Sequence, residues 1–309
     1  MRVLVTGGAG FIGSNLCRRL TETAGIEHVT VLDDLSSGFA ANLAGIDVEL
    51  IEGSMLDEPL LARASAGVDA IAHLGARPSV PRSVADPVAS HHANATGTMA
   101  VLEAARRHDA YVVVASSSSV YGANPTLPKR EDMATRPMSP YAASKLATES
   151  YANAYLHSYG LATLALRFFN VFGPHQAAGH AYAAVVPAFV DAALRGKAVT
   201  IHGDGTQTRD FTFVDTVTAV LADAMQRRLA DPDPMNLAFG TRTDLLTVLD
   251  LLEAELGRPI ERRHVDNRVG DVPHSQADGA RLLAAFPDIE PTPLVTGLAA
   301  TVAWMRTLG

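Results

Sequence analysis

The chain holds one cysteine, Cys17, so no intrachain disulfide can form and a reducing, cytoplasmic setting is expected. Positive charge is also scarce. The formal charge is -8 and the pI near 5.7, which argues against binding nucleic acid or anionic membranes through net charge. No apolar run reaches membrane-spanning length, and Met1-Arg2 leads straight into an apolar strand pattern, so neither a membrane span nor a signal peptide is expected. Repeats, low-complexity tracts and a sharp linker are missing. So is any metal-ligand spacing: His91-His92 stands without further ligands and reads as a helix-face feature. What remains is 309 residues, 48% hydrophobic, enough to bury a core in one large domain or two lobes.

Val3-Leu4-Val5-Thr6 reads as a short buried parallel strand, followed by the glycines at 7, 10 and 13 and a helical pattern through Leu16 and Leu20. A strand, a glycine turn and a helix N-terminus make a phosphate cradle of backbone N–H groups, which points to a dinucleotide. A second strand, Val29–Leu32, ends at Asp33. A carboxylate there accepts from ribose hydroxyls and repels a 2′-phosphate, favouring NAD over NADP. Further strands are expected at 48–51, 70–73, 111–115 and 162–166, with a long Ala-rich helix over 86–108. This alternation predicts an α/β fold with a doubly wound parallel sheet and ligands at the strands' carboxyl ends.

Only three lysines are present, and one of them makes a pattern. In Ser139-Pro140-Tyr141-Ala142-Ala143-Ser144-Lys145, helical spacing puts Tyr141 and Lys145 one turn apart on one face. Chance gives this spacing about 0.07 times in such a chain. An ammonium beside a phenol is expected to lower the phenol's pKa toward a useful general base. Ser117 and Tyr141 both fall just beyond strand ends.

After Asn170 the alternation gives way to shorter elements and glycine-bearing loops. Val214 to Arg228 reads as a helix returning to the sheet, and 235–238 as a further strand. The expected division is 1–169 with about 212–255 returning to it, and a smaller, interleaved lobe of 170–211 and 256–309.

With the Gly7-to-Gly13 loop, His73-Leu74-Gly75-Ala76, Asn94-Ala95-Thr96-Gly97-Thr98, Ser117-to-Gly122, Tyr141/Lys145, Arg167-to-Gly173 and Arg209-Asp210-Phe211, the sequence resembles the extended short-chain dehydrogenase/reductase family, and within it the NAD-dependent nucleotide-sugar epimerases and dehydratases. The resemblance runs nearly end to end. It implies a Rossmann-type domain holding NAD and a C-terminal lobe binding a nucleotide sugar. Tyr141 resembles the family's general base, Lys145 its pKa-lowering partner and ribose ligand, and Ser117 the hydroxyl at the sugar's 4-OH. Gly7, Gly10, Phe11, Ile12, Gly13, Asp33, Ser37, Gly38, Leu74, Ala76, Asn94 and Phe168 match positions that line the cofactor. Ser54 and Met55 replace the usual Asp-Ile pair near the adenine. On the substrate side, Asn170, Arg209 and Arg268 match diphosphate ligands, with Ala184, Val185, His202 and Asp271 around the nucleoside and Ser79, Arg82, Ser118 and Ser275 toward the sugar. A homodimer built on helices 86–108 and 141–158 is expected by resemblance.

The family's 4,6-dehydratases carry an Asp-Glu pair before the Val-Tyr-Gly turn, and its decarboxylases carry the Glu. Here Ser118 and Ser119 stand there, and hydroxyls cannot replace a tuned acid and base. That leaves 4-epimerisation through a transient 4-keto sugar. Ser275 matches a tyrosine of epimerases restricted to UDP-glucose and UDP-galactose, so the N-acetylated pair is admitted as well. Two rivals stand: a UDP-glucuronate-processing enzyme, for which Arg82 could meet the carboxylate, and a non-enzymatic NAD(H)-sensing regulator.

Overall fold

The computed structural model describes residues 1–178, 184–266 and 273–308. The chain divides into two compact units: Met1–Pro125, Glu131–Phe168 and Thr218–Leu237 in the first, Thr126–Arg130, Phe169–Val217 and Ala238–Gly309 in the second.

The first unit begins β1 (Arg2–Thr6), α1 (Phe11–Glu22), β2 (His28–Asp33), β3 (Glu49–Glu52), α2 (Glu58–Ala64) and β4 (Ala70–His73). It continues α3 (Val80–Ala85), α4 (Pro87–His91), a π-helical turn (His92–Thr96), α5 (Gly97–His108), β5 (Tyr111–Ser117), α6 (Pro140–Tyr159) and β6 (Thr163–Phe168). In the second unit follow β7 (Asn170–Phe172), α7 (Val185–Leu194), β8 (Val199–His202), β9 (Thr208–Arg209) and β10 (Phe211–Phe213). Helix α8 (Val214–Arg227) leads back to the first unit and β11 (Met235–Leu237). The second unit closes with β12 (Thr243–Asp244), α9 (Leu245–Leu256), β13 (Arg262–Val265), α10 (Ala280–Ala285) and α11 (Leu294–Arg306).

Among the described residues the first unit carries a seven-stranded sheet in the order β3-β2-β1-β4-β5-β6-β11, with every neighbouring pair parallel. This is the doubly wound, Rossmann-type sheet that the alternation predicted. Order reverses between β1 and β4, where such sheets take ligands at the strands' carboxyl ends. The central strands are apolar on both faces because helices cover both: Val3–Val5, Ile71 and Val112–Val114 are fully buried.

The expected helix over 86–108 runs from Pro87 to His108 and carries a π-helical turn within it. The π turn at His92–Thr96 separates α4 from α5 and turns Asn94 inward, where it is 1% exposed. The expected return of 212–255 is also shorter, at 218–237. Leu245, Val248, Leu249 and Leu252 of α9 join the second unit's core with Phe172, Phe189, Ile201 and Leu298. Residues 126–130 belong to the second unit because Lys129 N–H donates to the Gln276 carbonyl and the Lys129 carbonyl accepts from Asp278 N–H. There, β7 pairs with β10, β8 with β13 and β9 with β12.

Candidate active site

The loop after β1 is shaped by atoms its glycines lack. Gly7 adopts a φ of 72°, and a Cβ there would lie 2.7 Å from Gly75 N. A Cβ on Gly13 would lie 2.2 Å from the Gly7 carbonyl oxygen, so the first turn of α1 can close on the loop only without one. Phe11 and Ile12 open α1, whose first turn has no acidic residue and whose N-cap Gly10 offers no side chain to the free N–H groups. Asp33 ends β2 and accepts from Ala9 N–H and Leu35 N–H, both at 2.9 Å. Burial raises its carboxyl pKa, against the pull of those two donors. Gly38 backs onto Ala9, two residues beyond Ser36 and next to Ser37. Such a loop, dipole end and carboxylate fit a dinucleotide.

Other predicted lining residues divide in use. Met55 packs its thioether against Gly97 and Gly75, while Ser54 Oγ accepts from Leu56 N–H at 3.1 Å. Leu74 and Ala76 are half-buried beyond β4, and Phe168 ends β6. Asn94 does not present a free amide. Its Oδ1 accepts from Arg77 N–H at 2.7 Å, and its Nδ2 donates to the Arg77 carbonyl and to Ser144 Oγ. Its visible role is to hold the 74–77 loop against α6.

Ser117 ends β5 and caps the tight turn Ser118–Tyr121. Its Oγ accepts from Ser119 N–H at 3.2 Å and from Ser119 Oγ at 2.9 Å. With both lone pairs engaged, its own proton is directed outward. Tyr141 lies in the first turn of α6, whose N-cap Ser139 accepts from Ala142 N–H. Ser83 fixes that turn by accepting from Tyr141 N–H at 3.0 Å. The Tyr141 phenol hydrogen-bonds Ser117, which pulls its pKa down, but burial outweighs this and leaves it above the ordinary value. Lys145 follows one turn later, buried, and Nζ donates to the Ala115 carbonyl at 2.7 Å. Burial lowers its pKa to about 8. Tyr141 and Lys145 thus stand one turn apart on α6, but the electrostatics differ from those expected. The ammonium is directed at the strand's carbonyl, and desolvation dominates the phenol.

Sequence reasoning missed the support beneath these residues. Arg167 Nε and Nη2 grip the Glu149 carboxylate at 3.0 and 2.7 Å, and Nη1 donates to Tyr121 Oη at 2.9 Å. Ser116 Oγ donates to Glu149 at 2.9 Å, and Tyr121 Oη donates to Asn236 Oδ1 at 2.6 Å. Arg167 and Glu149 are 3% and 5% exposed. A charge inside an otherwise apolar strand was the available signal. Ser79 caps α3 with a φ of 95°, accepting from Arg82 N–H.

In the second unit, Asn170 N–H and Nδ2 both donate to the Asp210 carbonyl. Arg209 Nη1 donates to the carbonyls of Thr208 and Pro273 at 3.0 and 3.2 Å. Asp210 is fully buried, and its carboxylate accepts from Gly240 N–H, Ala277 N–H and Thr241 Oγ1. It thereby pins three segments around Arg209. His202 Nδ1 is 3.1 Å from the Asp266 carbonyl, Ser275 N–H donates to the Thr208 carbonyl, and Ala184 and Val185 open α7. Arg268 and Asp271 lie outside the described residues.

A family model described as the NAD dependent epimerase/dehydratase family matches residues 3–238. A UDP-glucose 4-epimerase of Mycolicibacterium smegmatis is 38% identical over 316 residues, spanning 99% of each chain. The structure of a UDP-N-acetylglucosamine 4-epimerase from Methanobrevibacter ruminantium in complex with UDP-N-acetylmuramic acid superposes with a TM-score of 0.94 at 34% identity, covering 100% of this chain and 99% of that one. A UDP-glucuronic acid 4-epimerase from Bacillus cereus, in complex with UDP-glucuronic acid and NAD, superposes with a TM-score of 0.91 at 28% identity over 100% of both chains.

Proposed function

The chain belongs to the NAD dependent epimerase/dehydratase family, and from that membership we propose that it is an NAD-dependent 4-epimerase of UDP-hexoses, taking UDP-glucose/UDP-galactose and the N-acetylated pair. The observation that carries the reading is the Ser117–Tyr141 contact, one helical turn before Lys145 and beside a turn whose Ser118 and Ser119 offer hydroxyls and no carboxylate. When bound, NAD supplies a hydride acceptor and donor for the sugar's C4. The glycine loop, Asp33 and the 74–77 loop are the residues that hold it. Tyr141 takes the proton of the 4-OH and later returns it to the 4-oxygen. Ser117 donates to the same oxygen, stabilising charge as the proton leaves. Ser118 and Ser119 offer no carboxylate to remove a C5 proton and expel a 6-hydroxyl, so the 4-keto sugar turns and is reduced on its other face.

Recognition of the nucleotide diphosphate is assigned to Asn170, Arg209 and Arg268, a guanidinium matching phosphate by parallel N–H donors. Ser275 in place of a larger side chain supports acceptance of a 2-N-acetyl group. A cytoplasmic homodimer is part of the proposal. The single cysteine supports the compartment, exposed Met99 on α5 and Tyr151 on α6 support the dimer, and light scattering in solution tests the dimer.

The first test is NMR of the purified protein with NAD and, separately, UDP-N-acetylglucosamine, UDP-glucose and UDP-glucuronate. Conversion to the 4-epimer without net NADH is expected for the first two. Epimerisation of UDP-glucuronate alone would shift the assignment to that acid, with Arg82 as its partner. A 4-keto-6-deoxy product would overturn the reading of Ser118 and Ser119, and no turnover at all would favour an NAD(H) sensor. Tyr141→Phe is expected to abolish turnover while NAD still binds by calorimetry.

A further inference from the structure

A line of buried polar side chains under the glycine loop has no part in the chemistry above. His73, the last residue of β4, is 3% exposed. Its Nδ1 lies 2.8 Å from Thr6 Oγ1 and its Nε2 lies 3.0 Å from Thr98 Oγ1. Thr98 has one hydroxyl proton and gives it, at 2.6 Å, to the Asn94 carbonyl, which can only accept. Thr98 is left as an acceptor toward the imidazole, so Nε2 carries the ring proton. Nδ1 then accepts from the Thr6 hydroxyl, whose oxygen accepts in turn from Gly75 N–H at 3.2 Å. Counting protons thus yields one directed chain, from Gly75 N–H through Thr6, His73 and Thr98 to the Asn94 carbonyl in the π turn.

Both ends touch the candidate site. Gly75 is the residue against which Gly7 packs without a Cβ. At the other end, Asn94 Nδ2 donates to Ser144 Oγ, and Ser144 Oγ donates to the Tyr141 carbonyl, each at 2.8 Å. Thr148 adds a second tie to α6, with its Oγ1 3.1 Å from Thr98 Oγ1. Burial, reinforced by the charge of Lys145, holds the His73 pKa down to about 3, so the ring stays neutral.

We propose that His73 is a positioning residue which, as the neutral Nε2–H tautomer, fixes the dinucleotide loop against the turn of α6 that carries Tyr141. A neutral imidazole with one donor and one acceptor at opposite corners suits such a span, because it relays direction without adding charge near Lys145. The effect on turnover rests on the epimerase reading; the tautomer does not.

The test uses the full-length chain with NAD, labelled with 15N in histidine, and long-range proton–nitrogen correlation of the rings. His73 should show the Nε2–H pattern, unchanged between about pH 5 and about pH 8. An Nδ1–H pattern, or a ring that titrates in that range, overturns the proposal. Thr98→Val removes the acceptor at nearly constant shape, whereas Thr98→Ser keeps it. Turnover number should fall about tenfold or more in Thr98→Val with little change in KM, return to within about twofold in Thr98→Ser, and the His73 ring signals should move only in the valine variant. Wild-type turnover number and unmoved ring signals in Thr98→Val would also overturn it. If the wild type turned over no nucleotide sugar, the epimerase reading would fail while the ring spectrum still decided the tautomer.

Discussion

At the scale of single residues, desolvation governs the two ionisable groups of the candidate active site. Lys145 has a folded pKa of about 8 against 10.5 for an ordinary lysine. Between these values the unfolded chain holds a proton that the folded chain has released, so raising the pH favours the fold. The gap is worth about 3 kcal/mol at most. Urea unfolding of wild type and Lys145→Met should therefore show a stability difference that moves in favour of wild type between pH 8 and 10.5. A flat difference would mean the ammonium is better solvated than its surroundings indicate. Tyr141 presents the opposite case: burial raises its pKa and Ser117 alone draws it back. Ser117→Ala should lower the turnover number by about 100-fold and shift the acidic limb of the pH–rate profile, where the Tyr141 base becomes protonated, to higher pH. A limb that stayed in place would remove Ser117 from the titration of Tyr141.

At the scale of elements, the strand ends carry a buried ion pair within their apolar packing. Arg167 on β6 joins Glu149 on α6 to Tyr121 in the turn after β5, and Tyr121 reaches Asn236 on β11. Its guanidinium also lies 4.7 Å from the centre of the Tyr121 ring. Removing one partner strands the other charge in the interior. Arg167→Met should cost about 3–5 kcal/mol in denaturant unfolding, and the double variant with Glu149→Met should cost less than the sum of the two singles. The glycine loop is tested in the same way. Gly13→Ala places a Cβ 2.2 Å from the Gly7 carbonyl oxygen, so the loop and the start of α1 must part. Calorimetry should find NAD affinity reduced by about tenfold or more, since the cradle's N–H groups no longer converge.

At the scale of the whole molecule, neither unit is a continuous piece of chain, and each depends on single polar residues to bring distant segments together. Asp210 does this in the second unit, accepting from Gly240, Thr241 and Ala277 while its own carbonyl takes both donors of Asn170. Asp210→Asn turns an acceptor into a donor facing other donors. It should destabilise the fold by about 2–3 kcal/mol and weaken UDP binding, measured by calorimetry, more than NAD binding. Equal loss for both ligands would make Asp210 a general stability residue.

The sequence by itself determined what is local and periodic. Strands apolar on both faces declared a parallel sheet, glycines between a strand and a helix declared a tight turn without Cβ atoms, and the spacing of Tyr141 and Lys145 declared one helix face. Each is legible because its cause lies within a few residues. The tertiary structure decided what depends on neighbours brought from afar. A lysine's sequence position does not say whether its ammonium meets a phenol or the Ala115 carbonyl, or how much water it loses. The π turn at Asn94 left no mark in the Ala-rich helical pattern, because the extra residue answers to Arg77 and Ser144, distant in sequence. Arg167 stood out as a charge in an apolar strand, but its partner Glu149 read as an ordinary helix charge until the sheet and α6 closed over both. Burial strips water from every group at once and depends on the whole packing, so no stretch of residues carries its signature.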